Sequence, residues 1–118
     1  METQETILHF WFGSQADDKI VAEERSKLWW SKNPQVDEEI QQRFEPYVTQ
    51  AGNRELDGWA QSPSGCLALI LLTDQFPRHI YRNTPQAFAY DPLARLWCKE
   101  GLSKGFQLSL RPLESVFF

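Results

Sequence analysis

One stretch of the sequence, residues 74–83, combines an acidic side chain, two arginines and an imidazole, and it reads DQFPRHIYRN. Asp74, Arg78 and Arg82 follow one another at intervals of four residues, so they share one face if the backbone stays helical. A carboxylate that leaves a buried segment needs a partner, because burying it unpaired costs several kcal/mol. Arginine offers planar, bidentate donors that suit a carboxylate or a phosphate. The stretch therefore predicts either a set of ion pairs or a site for an anion.

A second acid–base pair lies a little further along the chain, where Asp91 and Arg95 have the i,i+4 spacing of neighbours on a helix. These residues and the preceding stretch together give one candidate ligand-binding site. Its members are Asp74, Gln75, Arg78, Arg82, Asp91 and Arg95.

Three interpretations of this candidate site remain open. The charges form an interhelical network that fixes how helices cross, or the arginines bind a small anionic ligand or a peptide. In the third, Asp74 or His79 acts in general acid–base catalysis beside Arg78 and Arg82, for example in a small cytosolic hydrolase. Saturated guanidiniums would favour the first interpretation, and donors directed into an open groove would favour the second.

Metal and cofactor sites are not indicated elsewhere in the sequence. Two histidines, His9 and His79, without a third matched ligand make no metal motif. Cys66 and Cys98 lie in apolar surroundings without ligand spacing, which predicts reduced thiols. Phosphate-cradling glycine loops and catalytic serine or HExxH motifs are absent. We expect no metal and no cofactor.

The composition limits the classes of partner that the protein is expected to bind. The net charge is −4, so a general basic surface for nucleic acid is not expected. Residues 1–57 carry 12 acidic and 6 basic side chains, whereas residues 58–118 carry 4 acidic and 6 basic ones, which places the candidate site in the basic half. No signal-peptide pattern opens the sequence, and no apolar run has membrane-spanning length. These features predict a cytoplasmic protein with no membrane partner.

The elements that must position the site have helical patterns throughout. Apolar residues at helical spacing predict helices at about 3–12, 18–30 and 37–51, the last with an N-cap at Asp37 and a kink or break at Pro46. A brief helix is predicted over 53–61, and Thr84-Pro85 opens a further helical region that Pro92 interrupts and Gly105 ends. The tail predicts a last helix that begins at a proline.

The segment before the candidate site is the most apolar part of the chain. Ser62-Pro63 is an N-cap followed by proline at the first helical position, and the run CLALILL follows at Cys66. Length and flanks favour a helix over a strand, so we predict a central buried helix at about 63–76. No strand-like alternation or hairpin signal occurs. The fold class is therefore predicted to be all-α, in a single domain over 1–118.

The motifs ILHFWFG, LWWSKNPQVDEEIQQRF and GWAQSPSGCLALILLTDQFPRHIYRNTPQAFAYDPLAR resemble the DUF924 family of uncharacterised bacterial proteins. The resemblance spans essentially the whole chain. It implies a tetratricopeptide-like antiparallel array of helices, and it places the family's polar signature on the six candidate site residues. It supplies no reaction.

The chain departs from the family pattern in three respects. His79 stands where relatives usually have asparagine, and Pro46 and Pro92 interrupt helices that are usually continuous. Relatives also continue into a segment with a His-Ser-Glu motif, so the resemblance predicts that this chain is C-terminally incomplete. Such a chain would expose apolar surface there, which favours a homodimer or a swapped element.

Overall fold

The computed structural model describes residues 3–13, 18–30, 34–82, 84–110, 114 and 117. These residues contain helices and no strand, which confirms the predicted all-α class. Short 3₁₀ turns at Asp57–Gln61, Pro85–Phe88 and Phe106–Ser109 join some of the helices. The α-helices are α1 (Gln4–Phe12), α2 (Asp18–Trp30), α3 (Pro34–Gly52), α4 (Pro63–Thr73), α5 (Gln75–Ile80) and α6 (Asp91–Ser103).

Helix α4 lies at the centre of the core. Ser62 caps its first turn by accepting a hydrogen bond from the backbone N–H of Gly65, and Pro63 occupies the first helical position as predicted. Every residue from Gly65 to Thr73 is buried, and α4 contacts α1, α3, α5 and α6. Gly65 permits the close approach of the 3₁₀ turn Asp57–Gln61, because a Cβ there would overlap the carbonyl oxygen of Trp59.

The central helix ends three residues earlier than the predicted boundary near residue 76. Asp74 leaves helical geometry with φ −113° and ψ −67°, and α5 begins at Gln75. Pro77 explains the break, since it has no N–H to donate to the carbonyl of Thr73. In the first turn of α5 the missing N–H has no energetic cost, because the N–H groups of a first helical turn have no acceptor within the helix. The chain therefore turns a corner at Asp74, which is the first residue of the candidate site.

The N-terminal helix is defined at both ends. Thr3 and Thr6 form a reciprocal cap, and Gly13 ends the helix with φ 74°, a conformation that favours glycine. Trp11 and Phe12 pack in a buried aromatic cluster with Trp29 and Phe117, and the indole N–H of Trp29 donates to the carbonyl oxygen of Trp11 at 2.9 Å.

Helix α3 differs from its prediction at two positions. The helix continues past Pro46 rather than splitting there, since the proline lies on the exposed side of α3. There, water can satisfy the carbonyl that loses its N–H partner. The helix also begins at Pro34, which places Asp37 inside the first turn instead of at the N-cap. Ile40, Phe44, Val48 and Ala51 form its buried stripe, at the helical spacing that predicted this helix.

The C-terminal elements follow the proline and glycine signals. Pro85–Phe88 is a separate 3₁₀ turn, and α6 begins at Asp91 with Pro92 in its first turn. Gly105 follows α6 in the left-handed conformation, with φ 75°. The predicted brief helix at 53–61 is a 3₁₀ turn over Asp57–Gln61. The predicted tail helix falls largely outside the described residues. Within the described ranges, no helix combines the length and apolarity needed to cross a bilayer.

Candidate functional site

The six predicted site residues separate into two groups in the structure. Asp74, Arg78, Asp91 and Arg95 line one pocket, and Gln75 is hydrogen-bonded to Asp74 beside it. Arg82, predicted on the same face as Arg78, is bonded to Asp37 instead. The reason is that α5 ends at Ile80, so the four-residue interval from Arg78 to Arg82 is not helical throughout.

The charged pocket, as we call the first group's cavity, lies where the α4–α5 corner meets α6. Residues 70, 74 and 78 line it from one side, and residues 91, 94, 95 and 98 line it from one face of α6. Its volume is about 240 Å³, and Ile70, Ala94 and Phe117 supply buried apolar walls. The pocket thus combines an apolar interior with two carboxylates and two guanidiniums.

Asp74 and Arg78 neutralise each other on one side of the charged pocket. Arg78 donates through Nε and Nη2 to Oδ1 of Asp74 at 3.3 and 3.0 Å, and Gln75 donates through Nε2 to Oδ2 at 2.9 Å. The guanidinium of Arg78 also lies over the ring of Phe88, 4.9 Å from the centroid. Asp74 is therefore saturated by its neighbours and holds Arg78 in place.

Asp91 and Arg95 lack comparable partners. Oδ1 of Asp91 is buried and accepts no hydrogen bond, and Nη2 of Arg78 lies 3.9 Å from it. The predicted i,i+4 pair between Asp91 and Arg95 does not form among the described residues, where Arg95 has no hydrogen bond or ion pair. A buried acceptor without a donor costs about 1–3 kcal/mol. Asp91 is therefore only loosely paired with Arg78, and the exposed guanidinium of Arg95 is the cation of the pocket that is open to a ligand.

The two cysteines behave as the sequence predicts, and one of them borders the charged pocket. Cys66 is buried in α4, burial raises the pKa of its thiol to about 11, and its Sγ lies 3.4 Å from the carbonyl oxygen of Trp97. Cys98 is half-buried, and burial together with the charge of Asp74 raises its thiol pKa. Both thiols are therefore protonated and unreactive near neutral pH.

The second polar group, which we call the Asp37 cluster, consists of Asp37, His79 and Arg82 and joins α3 to the α5 region. Arg82 donates through Nε to Oδ2 of Asp37 at 2.8 Å and through Nη2 to Oδ1 at 3.1 Å. Nδ1 of His79 lies 2.9 Å from Oδ1 of Asp37. Because an ionised carboxylate only accepts, Nδ1 carries the proton and donates it. The cluster is saturated within itself.

Burial and charge act in opposite directions on the pKa values of the Asp37 cluster. Burial alone would raise the pKa of Asp37, but the hydrogen bonds and positive charges of Arg82 and His79 outweigh it and lower that pKa. The pKa of His79 is lowered, chiefly because the ring is only 4% exposed, even though Asp37 favours the imidazolium. At neutral pH the cluster is thus a carboxylate, a guanidinium and a neutral imidazole.

A second contact reinforces the same junction of helices. The phenol of Tyr81 donates to Oε2 of Glu45 at 2.8 Å, and burial with this acceptor raises the pKa of Tyr81. The ring of His79 packs edge-on against Trp11, with centroids 5.7 Å apart. α5 is therefore joined to α3 by polar contacts and to α1 by an aromatic one, as in the architectural interpretation.

Sequence reasoning missed Asp37 as a partner of this cluster. Asp37 precedes Ile40 by three residues and Phe44 by seven, so it continues the apolar stripe that faces the core. An acid on a buried stripe needs a partner, and that signal was present in the sequence. Cys98 and Phe117 were also missed as pocket-lining residues. Cys98 follows Asp91 by seven residues and Arg95 by three, which is one helical face.

The described part of the chain contains no set of metal ligands. No group of three or more His, Cys, Asp or Glu side chains there is arranged to hold a metal ion. His9, the other histidine, is exposed on α1.

Comparisons with other proteins agree with this fold and leave the ligand open. The model of the family described as "Bacterial protein of unknown function (DUF924)" matches residues 7–118. A solved structure, that of the protein of unknown function ATU0120 from Agrobacterium tumefaciens, is similar with a TM-score of 0.82 and 33% sequence identity. The similarity covers 97% of this chain and 59% of that one, so this chain spans about three-fifths of the length of that protein. No curated protein matches the chain.

Proposed function

The chain belongs to the DUF924 family, whose function is unknown, and we propose that it binds a small carboxylate-bearing ligand in the charged pocket. One observation carries this proposal: Arg95 lines the pocket and has no hydrogen bond or ion pair with any described residue. A guanidinium offers two parallel N–H donors to a carboxylate, and such charge-assisted bonds are about twice as strong as neutral ones. Arg95 is therefore the residue to which the ligand's negative charge binds.

The charges of the pocket favour a ligand with a single negative charge. Asp74 already neutralises Arg78, and Asp91 remains as a second carboxylate near Arg95. A phosphate dianion would bring two charges close to these carboxylates and would be repelled at short range. One carboxylate matches the one cation that is open.

The size of the charged pocket favours a small ligand. Its volume of about 240 Å³ lies below the roughly 300–1,000 Å³ of sites for drug-sized ligands. A ligand of about nine non-hydrogen atoms that gains about 0.5 kcal/mol per atom would bind with a Kd of about 1 mM. Such a ligand would place a short apolar tail against Ile70, Ala94 and Phe117.

The test is an NMR titration of nitrogen-15-labelled protein with 4-methylpentanoate and L-leucine, at constant ionic strength. Both probes carry a carboxylate and the same branched tail, and 4-methylpentan-1-ol is the uncharged control. We expect at least one carboxylate to shift the backbone amide signals of Ala94 and Cys98, and the alcohol to bind more weakly. If neither carboxylate shifts these signals, the proposal is wrong.

Matched variants on α6 separate the role of Arg95 from general charge. Arg95 and Lys99 are both exposed on α6, but only Arg95 lines this pocket. Arg95→Gln therefore removes the open guanidinium, and Lys99→Gln removes a matched positive charge outside the pocket. We expect Arg95→Gln to weaken carboxylate binding about tenfold or more, which is the loss of a hydrogen bond to a charged group. Lys99→Gln should change it less than about twofold, as expected for a screened surface charge. Equal losses in the two variants would contradict a specific contact.

The catalytic alternative receives less support from the geometry. His79 is 4% exposed and bonded to Asp37, and Asp74 is bonded to both Arg78 and Gln75. Proton transfer to a substrate needs a group within hydrogen-bond reach of it. Both candidate acids and bases are occupied by neighbours, which favours binding in the charged pocket and architecture in the Asp37 cluster.

A further inference from the structure

An exposed aromatic side chain lies at the edge of the charged pocket. Phe88 is 53% exposed, and it is the aromatic member of the four large apolar residues that are exposed in the described part of the chain. One face of its ring is covered by the guanidinium of Arg78, which lines the charged pocket and lies 4.9 Å from the ring centroid. The rest of the ring is open to a ligand that extends beyond the pocket.

The contacts that this region offers to a ligand lie in three different places. The guanidinium of Arg95 is exposed on α6, whereas the apolar walls of the charged pocket are buried. Phe88 lies outside the lining of the pocket, beside the side chain of Arg78. A ligand that contacts both Arg95 and Phe88 therefore extends beyond the pocket, and it must branch if it is to fill the apolar interior as well.

We propose that the ligand is the C-terminal end of a peptide with an aromatic penultimate residue, and this inference rests on the proposed function. The terminal carboxylate accepts from Arg95, the last side chain lies against the apolar walls of the charged pocket, and the aromatic side chain before it packs on Phe88. A peptide C-terminus branches at the carbon that carries the carboxylate, so it fits three separate contacts, whereas an unbranched acid fits two.

The size and charge of a C-terminal residue match the charged pocket. A terminal leucine residue has about nine non-hydrogen atoms, which is the ligand size expected for a pocket of about 240 Å³. Its nitrogen belongs to a neutral amide, so the residue brings one negative charge and no positive charge. The contact with Phe88 adds an aromatic pair outside the pocket, where offset or edge-to-face packing of two rings is favourable.

Three acetylated dipeptides that differ by one group each test the inference on the wild-type protein, by NMR titration at constant ionic strength. N-acetyl-L-phenylalanyl-L-leucine has both groups, N-acetylglycyl-L-leucine lacks the ring, and N-acetyl-L-phenylalanyl-L-leucinamide lacks the carboxylate. We expect the first to bind at least about threefold more tightly than the second, which loses an aromatic pair. It should bind at least about tenfold more tightly than the third, which loses a hydrogen bond to a charged group. The phenylalanyl acid should also shift the backbone amide signal of Phe88.

Matched variants at exposed apolar residues assign the aromatic contact. Phe88→Ala removes the ring, and Leu102→Ala shortens an exposed side chain of α6 that does not line the charged pocket. The readout is the ratio of the affinities for the phenylalanyl and glycyl acids, because the loss of the ring also frees Arg78 and acts on both peptides alike. We expect this ratio to fall to about one in Phe88→Ala and to keep its wild-type value in Leu102→Ala.

The outcomes separate this inference from the proposed function. If the glycyl acid binds as tightly as the phenylalanyl acid, or if their ratio persists in Phe88→Ala, the inference is wrong. If 4-methylpentanoate binds and depends on Arg95 while neither peptide acid binds, the ligand is a small free acid, so the inference is wrong and the proposed function survives. If the leucinamide peptide binds as tightly as its acid, no terminal carboxylate is recognised and the inference is wrong. If no carboxylate probe binds, the proposed function fails and the inference fails with it.

Discussion

The Asp37 cluster and the charged pocket are built from the same residue types but differ in saturation. In the Asp37 cluster, one carboxylate is bonded to Arg82 through two nitrogens and to His79 through a third. In the charged pocket, Asp74 and Arg78 are bonded to each other, whereas Asp91 has a buried oxygen that accepts no hydrogen bond and Arg95 has no partner among the described residues. Both regions include a residue of α5, which is Arg78 in the charged pocket and His79 in the Asp37 cluster.

This difference indicates how charged side chains that stabilise the fold can be distinguished from charged side chains that bind a ligand. Charges that satisfy each other and lie between helices contribute to stability, and removing one partner leaves the others uncompensated. Charges that lie in a pocket without partners contribute little to stability and are available to a ligand. The two regions should therefore respond in opposite ways to substitution.

Asp37→Asn should give the largest effect on stability. It leaves Arg82 and His79 without their carboxylate at a position only 19% exposed, so we expect the free energy of unfolding to fall by about 2–3 kcal/mol, somewhat less than for a fully buried pair. Urea denaturation measures the change. Glu39→Gln, in an exposed ion pair with Arg43 on the same helix, should cost less than about 0.5 kcal/mol. A similar cost in both variants would remove the distinction between the two kinds of charge.

His79→Asn should flatten the dependence of stability on pH. The folded-state pKa of His79 lies below its unfolded value of about 6.5, so the contribution of the neutral ring is complete above that pH and is lost as the pH falls below it. The lowered pKa of Asp37 acts near pH 4 and below, so urea denaturation between about pH 6.5 and 5 isolates the histidine. Asparagine keeps an N–H donor for Asp37 but does not titrate. An unchanged slope in the variant would show that His79 does not titrate in this range.

Asp74→Asn should have a smaller effect on stability than Asp37→Asn, about 0.5–1 kcal/mol, because its partner Arg78 is 44% exposed. Its clearer effect is on chemistry in the charged pocket. The charge of Asp74 raises the pKa of Cys98, so its removal should lower that pKa and increase the thiolate fraction. Alkylation of Cys98 should then be a few-fold faster at fixed pH. A slower reaction would show that the charge of Asp74 does not raise the pKa of the Cys98 thiol.

The helices could be predicted from the sequence because their signals are local. Ser62-Pro63 and Gly105 mark boundaries through backbone conformation alone, and the structure confirms both of them. The predicted helix boundaries were wrong where exposure to solvent or tertiary contacts determine whether a helix continues. Pro46 is tolerated in α3 because it is exposed, and the boundary between α4 and α5 depends on the position of Pro77 within the turn that follows.

The candidate site was only partly predictable for the same reason. Helical spacing correctly brings Asp74 together with Arg78, and Asp91 and Arg95 of the predicted site line the same pocket where the α4–α5 corner meets α6. The bond from Arg82 to Asp37 spans 45 residues, and no local rule indicates such a partner. Whether a charged side chain already has all its hydrogen-bond partners depends on the three-dimensional structure. The sequence alone therefore could not decide between the binding and the architectural interpretations.

The most direct test of this account is the thermal unfolding of Arg95→Gln with and without 4-methylpentanoate, at matched ionic strength. At about ten times its Kd, 4-methylpentanoate should stabilise the wild-type protein by about 1.4 kcal/mol and raise its Tm by about 4–8 °C. We predict that Arg95→Gln has the Tm of the wild type within about 1 °C without ligand, since Arg95 has no partner to lose, and that the ligand shift disappears. A Tm lowered by several degrees, or a ligand shift that persists in the variant, would contradict the account.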